Sequence, residues 1–347
     1  MKFIRTPIKA VLGSRLNLPI SGLVRVLFGA LALTAITLAF ADQSPRDLLA
    51  AGRVDEAVEV LQRQIQVAPT AESYNLLCRA QFELGAWDAG ISACERATEL
   101  APDNGLYHLW LGRIYGEKAD HVSFITAIGL AKKVHAEFER AVQYAPNSWE
   151  SRTDLAEFYL EAPGMVGGGE SKARAEAEKI AALNPAMADW VNGRLAEKNK
   201  DLAEAERDYR AAVDASHDGA RAWLNLAGFY SHHQRFDDME EALHHLETSQ
   251  LDHPDALVDG AGILLRTKRD YPLAVQLLQR YIAAGTVEEA PAFKAHAMVG
   301  QLLERQGNSA AAAAEYHTAL AMAHNYGVAQ DGLRRVTHAA EMAQLAR

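Results

Sequence analysis

The sequence predicts an all-α protein built as a solenoid of stacked antiparallel helix pairs, and three observations support this. The chain is similar to itself about every 33 to 34 residues, which is typical of repeat architectures. Its 347 residues include many alanines and few runs of β-branched or aromatic residues, which favours helices over strands. Proline recurs at the end of several units, where it would stop one helix before the next unit begins.

Each unit combines two predicted helices with complementary apolar spacing. The segments "WLNLAGFY", Trp223 to Tyr230, and "HLWLGRIY", His108 to Tyr115, place a tyrosine one turn after a small residue. Second helices show small-x-x-x-aromatic-x-x-Ala, as between Ala205 and Ala212. Small residues let two helices approach closely, and large residues fill the layer toward the next pair. One pair cannot bury its apolar stripe alone, so the pairs are expected to stack.

These motifs resemble the tetratricopeptide repeat family, and the resemblance covers nearly all of residues 42–326. Eight units are expected, beginning near residues 42, 71, 103, 147, 186, 220, 255 and 292. A helix over 327–347 should cap the last unit. The resemblance implies a right-handed superhelix in which the first helices line a concave groove, and ligands of this family usually lie along that groove.

The first 41 residues predict a cleaved secretory signal. They contain five basic residues and no acidic one, and the uncharged run "VLFGALALTAITLAFA" follows Arg25. This run ends in Ala39-Phe40-Ala41, a pattern typical of signal-peptidase sites, and it is shorter than the roughly 20 residues that span a membrane. An uncleaved N-terminal anchor is the alternative. Either interpretation places the remaining chain outside the cytoplasm, periplasmic or secreted, with cleavage near Ala41.

The net charge argues against two classes of partner. It is −10 for the whole chain, and removing the five positive charges of the signal leaves about −15. A nucleic-acid-binding protein needs a basic face, and an anionic membrane surface would repel this chain. We therefore expect no nucleic-acid partner, and no membrane association of the mature form unless the signal remains as an anchor.

Two units are longer than the repeat allows, near residues 117–131 of the third unit and 163–170 of the fourth. The first insertion predicts one long second helix from about His121 to Tyr144, after a break near Asp120. The second insertion is the turn "APGMVGGG". It does not match a phosphate-binding loop, because a helix precedes it and Glu170 stands where the phosphate-binding lysine would be.

Equivalent turns align along one edge of a stacked solenoid, so the two insertions should lie side by side. We call this edge the insertion ridge. It consists of Phe124, Ile125, Ile128, Met165, Val166, Gly167, Gly168 and Gly169. Its apolar surface is larger than a lone protruding helix should leave in water. Two interpretations stay open: the loop simply covers the apolar face of the helix, or the ridge recognises a partner.

The concave groove is a second candidate surface. Its predicted outward residues are Asn75, Arg79, Arg113 and Arg194. Arg79 and Arg113 occupy equivalent positions in adjacent first helices, so they could flank one acidic group of a bound peptide. Simple solvated arginines are the alternative.

Few residues of this chain indicate chemistry. Cys78 and Cys94 should face the same seam between paired helices, where they would form a disulfide in an oxidising compartment or remain two buried thiols. The paired histidines at 232–233 and 244–245 lack the i, i+4 spacing of a helical metal site. No catalytic triad can be assigned. We expect no enzyme activity, no metal and no cofactor.

These observations predict a non-catalytic scaffold or adaptor that binds a protein or peptide in the bacterial periplasm or cell envelope. The alternative is an envelope module that binds a small ligand or glycan in the concave groove. Tryptophans that point into the groove, such as Trp110 and Trp190, would favour the alternative, whereas Trp223 in a packing position would not.

Overall fold

The computed structural model describes residues 43–345. Within this range the chain forms 17 α-helices and one short 3-10 helix, and these residues contain no β-strand. The predicted signal peptide over 1–41 and its cleavage point near Ala41 lie outside the described residues. Between residues 43 and 345, no helix is both long and apolar enough to cross a membrane.

The helices form eight antiparallel pairs and one final helix, so the predicted all-α solenoid of helix pairs is confirmed. The pairs are α1 Pro45–Ala50 and α2 Val54–Val67; α3 Ala71–Glu83 and α4 Trp87–Leu100; α5 Gly105–Asp120 and α6 Phe124–Tyr144; α7 Trp149–Glu161 and α8 Glu170–Ala181; α9 Pro185–Lys198 and α10 Leu202–Ala215; α11 Ala220–His232 and α12 Phe236–Thr248; α13 Ala256–Thr267 and α14 Tyr271–Ala284; α15 Ala292–Arg305 and α16 Ser309–Met322. The 3-10 helix Gly164–Val166 lies between α7 and α8, and the final helix α17 spans Gly327–Leu345.

Side-chain caps set where several first helices begin. Thr70 Oγ1 accepts a hydrogen bond from the backbone N–H of Ser73 at 3.1 Å, at the start of α3. Ser148 Oγ accepts from the N–H of Ser151, also at 3.1 Å, at the start of α7. Each cap satisfies an N–H group that has no partner within its helix, so the polar residue before each apolar stripe determines the helix start.

In the third, fifth and eighth pairs a glycine on the first helix meets an aromatic ring on the second. A Cβ atom at Gly112 of α5 would lie 2.5 Å from the ring of Phe138 on α6. At Gly300 of α15 it would lie 2.7 Å from the ring of Tyr316 on α16. A larger residue would push the helices apart, so the small-to-aromatic spacing in the sequence sets their separation.

The second pair replaces this ring contact with a covalent bond. Cys78 occupies the small position of α3 and Cys94 the aromatic position of α4. The structure joins them in a disulfide with a Cα–Cα distance of 5.2 Å. Both side chains are fully buried, so the bond lies inside the seam and braces α3 against α4.

The two ends of the solenoid touch each other, which the repeat pattern did not predict. Leu49 of the first unit and Phe293 of the eighth belong to one buried apolar cluster. Gly52 lies so close to α15 that a Cβ atom there would be 2.6 Å from the backbone nitrogen of Ala292. We call this contact the end contact. It closes the helix pairs upon themselves and buries apolar surface from both ends.

Polar groups complete the end contact. Thr286 Oγ1 donates a hydrogen bond to the carbonyl oxygen of Ala50 at 2.5 Å, and the backbone N–H of His324 donates to Asp55 Oδ2 at 2.7 Å. The last helix, α17, packs against both helices of the eighth pair.

Candidate functional site

The segment between α14 and α15, residues 285–291, lies against the face of α3 that the sequence assigned to the groove. We call it the closing segment. Its Glu288 forms an ion pair with Arg79, and the two side chains are 9% and 8% exposed. Glu289 lies 3.8 Å from the same arginine. Just beyond the segment, Lys294 Nζ lies 2.6 Å from Glu83 Oε2. The chain therefore fills this part of its own groove.

The prediction that Asn75 and Arg79 line an open groove is wrong, because both are buried. Their register on α3 was assigned from the repeat, but a segment more than 200 residues away covers them. Burial raises the pKa of Glu288 to about 7 and lowers the pKa of Arg79. For both groups the loss of water outweighs the attraction of the partner charge.

Arg113 and Arg194 remain half-buried, and each forms an ion pair with the first helix of the fourth unit. Arg113 Nε lies 2.6 Å from Asp154 Oδ2, between α5 and α7. A guanidinium nitrogen of Arg194 lies 2.5 Å from Glu161 Oε1, between α9 and α7. These arginines hold neighbouring first helices together and are not freely solvated.

Arg79 and Arg113 both approach one group, but that group belongs to the chain. Their guanidinium carbons lie 4.6 and 5.0 Å from the ring centroid of Trp110. A guanidinium over an indole face is attracted by the ring quadrupole. The sequence predicted that these arginines could flank an acidic group of a peptide, and in the structure both lie over the Trp110 ring of the chain itself.

A cavity of about 610 Å³ lies where the ends of α3, α5 and α7 meet α6. We call it the insertion cleft. Its apolar lining includes Phe82, Val134, Phe138 and Phe158. Its polar lining consists of Arg113, Glu117, Asp120, Asp154, Glu157 and Glu161. An apolar floor with a polar rim is the usual composition of a site that binds a side chain of a ligand or partner.

Three side chains of the insertion ridge are exposed. Phe124, Ile125 and Met165 have exposed fractions of 76%, 83% and 70%. Phe124 precedes the lining residues Ala131 and Phe138 by one and two heptads, so it lies on the same face of α6. Met165 follows the lining residue Pro163 by two positions. Phe124 and Met165 therefore extend the apolar lining of the cleft toward the surface, whereas Ile125 lies about 100° further round α6.

The other ridge residues are packed within the chain. Val166 is buried. A Cβ atom at Gly167 would lie 2.5 Å from Nδ1 of His135 on α6, and one at Gly168 would clash with the carbonyl of Ala162. The N–H of Gly169 donates to the carbonyl of Tyr159 at 2.8 Å. Close packing of the loop thus requires glycine at positions 167 and 168, and Ile128 is half-buried on α6.

A second cavity, also of about 610 Å³, shares Arg113, Asp154 and Glu157 with the insertion cleft. We call it the inner cavity. Its further lining includes Trp149, Glu150, Met187, Trp190, Arg221, Asp252, His253, Asp255 and Glu289. Burial raises the pKa of Glu157, although Arg194 opposes the shift. The two cavities adjoin at these shared residues, and we refer to them together as the groove.

Two family models, both described as tetratricopeptide repeat, match residues 48–114 and residues 191–243 and 260–343. The matches cover more than half of the chain and fall on the helix pairs that the structure shows. The chain belongs to the tetratricopeptide repeat family. Repeats of this family generally bind proteins and are generally non-catalytic, so this tetratricopeptide repeat protein is built as a protein-interaction scaffold.

Solved structures of other tetratricopeptide repeat proteins are similar to this one at low sequence identity. Yeast Tom70 is 14% identical with a TM-score of 0.49, and the similarity covers 84% of this chain and 59% of that one. A chain of the APC/C hetero-tetramer Cut9-Hcn1 is 12% identical with a TM-score of 0.38, and the similarity covers 84% of this chain and 54% of that one. A thermophilic TPR protein of Thermus thermophilus is 19% identical with a TM-score of 0.45, and the similarity covers 53% of this chain and 96% of that one. This chain thus spans little more than half of the first two, and no curated protein is significantly similar to it in sequence.

The tryptophans of this tetratricopeptide repeat protein differ in their environment. Trp110 is 4% exposed and packs against Phe82 as well as the two arginines. Trp190 is half-buried and lines the inner cavity, together with Trp149. Trp149 begins α7 and was not singled out from the sequence, because at a helix start it resembles an ordinary packing residue. Only its neighbours in space, such as His253 of a distant unit, show that it lines a cavity.

Proposed function

We propose that this protein is a non-catalytic scaffold of the bacterial periplasm or cell envelope that binds a segment of a partner protein in the insertion cleft. The observation that carries the proposal is the group of exposed apolar side chains at the mouth of an apolar-lined cavity. Soluble proteins rarely expose large apolar side chains together unless a partner covers them. Here Phe124 and Met165 do so beside the cleft, and Ile125 is exposed next to Phe124.

The architecture around the cleft suits recognition of a short segment. The cleft is lined by four helices whose side chains pack into a buried core, so its shape exists before a partner binds. A preformed site loses less conformational entropy on binding. Phe82, Val134 and Phe138 would contact one or two apolar anchor residues of the partner, and the surrounding polar residues would select among partners.

Two features support export of the protein. The N-terminal sequence predicts a cleaved signal ending at Ala41, and Cys78 is bonded to Cys94 in the structure. Disulfides persist in oxidising compartments such as the periplasm. Mass spectrometry of the protein purified from its native cell tests this proposal. We expect an N-terminus at Asp42 in the periplasmic fraction, whereas an intact N-terminus in the cytoplasm would refute export.

Crosslinking in the native periplasm followed by mass spectrometry tests the binding site. The intact protein should capture defined partners, and the variant Phe124→Glu/Ile128→Glu should lose them, because charge at the mouth of an apolar site opposes burial. Val67→Glu/Leu100→Glu is the control, since it adds the same two charges at exposed residues that do not line the cleft. Partners lost equally from both variants, or retained by both, would refute the cleft as the site. If the intact protein captures none, small-ligand binding in the inner cavity beside Trp190 replaces the scaffold proposal.

A further inference from the structure

The arginines around the two cavities are already paired within the chain. The pairs are Arg79 with Glu288, Arg113 with Asp154, Arg194 with Glu157 and Glu161, and Arg221 with Asp255. An acidic ligand would have to compete with these internal carboxylates for every cation. The groove therefore offers little attraction for a negative group, in contrast to the expectation from Arg79 and Arg113 in the sequence.

Carboxylates are in excess in the same groove. The acidic lining residues are Glu117, Asp120, Glu150, Asp154, Glu157, Glu161, Asp252, Asp255 and Glu289. Four of them, Glu117, Asp120, Glu150 and Asp252, form no ion pair with any residue between 43 and 345. Three of these four are exposed and Glu117 is half-buried, so a ligand in the groove would meet them directly.

Aromatic rings add to the attraction for cations. Trp149 and Trp190 both line the inner cavity and are half-buried, but the guanidinium carbon of Arg194 already lies 5.4 Å from the ring centroid of Trp190, so Trp149 is the indole that remains for a ligand. The face of an indole attracts an ammonium or guanidinium group, and the attraction grows where water is partly excluded. The adjoining cleft instead has the apolar lining of Phe82, Val134 and Phe138. The groove thus combines an acidic and aromatic part with an apolar part.

We propose that this groove binds an extended partner segment in which lysine or arginine residues stand next to a bulky apolar residue. The apolar residue enters the insertion cleft, and the basic residues lie along Glu117, Asp120 and Glu150 and against Trp149 of the inner cavity. This inference rests on the proposed function, because it names the chemistry of the partner of the same site. An acidic segment is disfavoured, since it would meet unpaired carboxylates in a partly desolvated groove.

Selection from a random peptide library tests the inference without knowledge of the natural partner. Displayed peptides of about twelve residues reach roughly 40 Å when extended. They are selected on the immobilised mature protein. We expect the enriched peptides to carry more lysine and arginine than the starting library, next to leucine, isoleucine, phenylalanine or methionine. Their binding should weaken as salt screens the carboxylates.

A matched pair of variants locates the charge effect. Glu117→Gln/Asp120→Asn/Glu150→Gln removes three groove carboxylates, and we expect the affinity for an enriched basic peptide to fall by at least about tenfold. Glu59→Gln/Glu178→Gln/Asp214→Asn removes three exposed carboxylates that line neither cavity, with the same change in net charge. Binding to this control should change by no more than about twofold, because exposed distant charges are screened.

The outcomes separate the inference from the proposed function. Enriched peptides that are acidic or show no excess of basic residues overturn the inference and leave the binding site in place. Equal effects of the groove variant and the control also overturn it. If no peptide is enriched, or if enriched peptides bind Phe124→Glu/Ile128→Glu as tightly as the intact protein, the proposed function fails and the inference fails with it.

Discussion

The closing segment and the insertion ridge are both additions to the repeat, but they differ in how far the rest of the chain covers them. Glu288 of the closing segment is buried and paired with Arg79, and Thr286 bonds to the first unit. Phe124 and Met165 of the ridge are exposed, and the described residues leave most of their apolar surface uncovered. A segment whose polar and apolar groups are satisfied within the chain has a structural role. A segment that leaves large apolar groups in water indicates a partner.

The same contrast holds for charge. The closing segment supplies an acidic group to the arginine of the second unit, which is thereby removed from the groove. Near the ridge, Glu117 and Asp120 have no cation among the described residues. Substitutions in the closing segment should therefore change stability, whereas substitutions of the exposed ridge residues Phe124 and Met165 should change binding alone.

The largest effect is expected for Arg79→Ala. Removing one partner of a buried ion pair leaves Glu288 buried without its countercharge, which costs about 3–5 kcal/mol of unfolding free energy. Urea denaturation followed by circular dichroism measures the change. Arg207→Ala is the control, because its ion pair with Glu204 is exposed, and it should change stability by less than about 1 kcal/mol. Similar effects of both variants would show that the end contact does not need the pair.

The disulfide that braces α3 beneath the closing segment should contribute about 3 kcal/mol, as expected for a loop closed by cysteines 16 residues apart. Cys78→Ala/Cys94→Ala should lower the free energy of unfolding by this amount in urea. A thiol reductant should destabilise the intact protein to the same level and leave the variant unchanged. If the reductant also destabilises the variant, its effect on the intact protein does not come from this disulfide.

Stability should also depend on pH through Glu288. Its pKa of about 7 in the folded protein lies above the ordinary value of 4.5, so the folded state binds the proton more tightly than the unfolded state. The resulting stabilisation is present at pH 5 and is lost as pH rises through 7, by about 2 kcal/mol at pH 8. Glu288→Gln should lack this component, so unfolding free energies of both proteins at pH 5 and pH 8 are compared. An identical pH dependence of the two would contradict the shift.

The smallest effect on stability is expected in the ridge. Phe124→Ser/Met165→Ser replaces two exposed side chains and should change the unfolding free energy by no more than about 0.5 kcal/mol. Val166→Ala, in the same loop but buried, should cost about 1–2 kcal/mol. Partner capture should show the reverse order, with loss in the serine variant and retention in Val166→Ala. Strong destabilisation by the serine variant would instead assign the ridge a structural role.

Much of the local structure was predictable because it depends on neighbours in sequence. Gly112 faces Phe138, and Cys78 faces Cys94, at the spacings that the repeat shows. The long helix α6 and the tight glycine turn also follow from the two insertions. Which ridge residues are buried and which are exposed was not predictable. Val166 and Met165 are adjacent apolar residues, and only packing against α6 makes Val166 buried and leaves Met165 exposed.

The sequence by itself determined the helix pairs, their seams and the position of both insertions, because each depends on contacts within one unit or between neighbouring units. Only the tertiary structure decided that the two ends meet. Small rotations between successive units add up over eight pairs, and their total cannot be predicted from the sequence of any one unit. That closure brings Glu288 to Arg79 and so removes one of the two equivalent arginines that the sequence assigned to the groove. The same closing segment adds Glu289 to the acidic lining of the inner cavity.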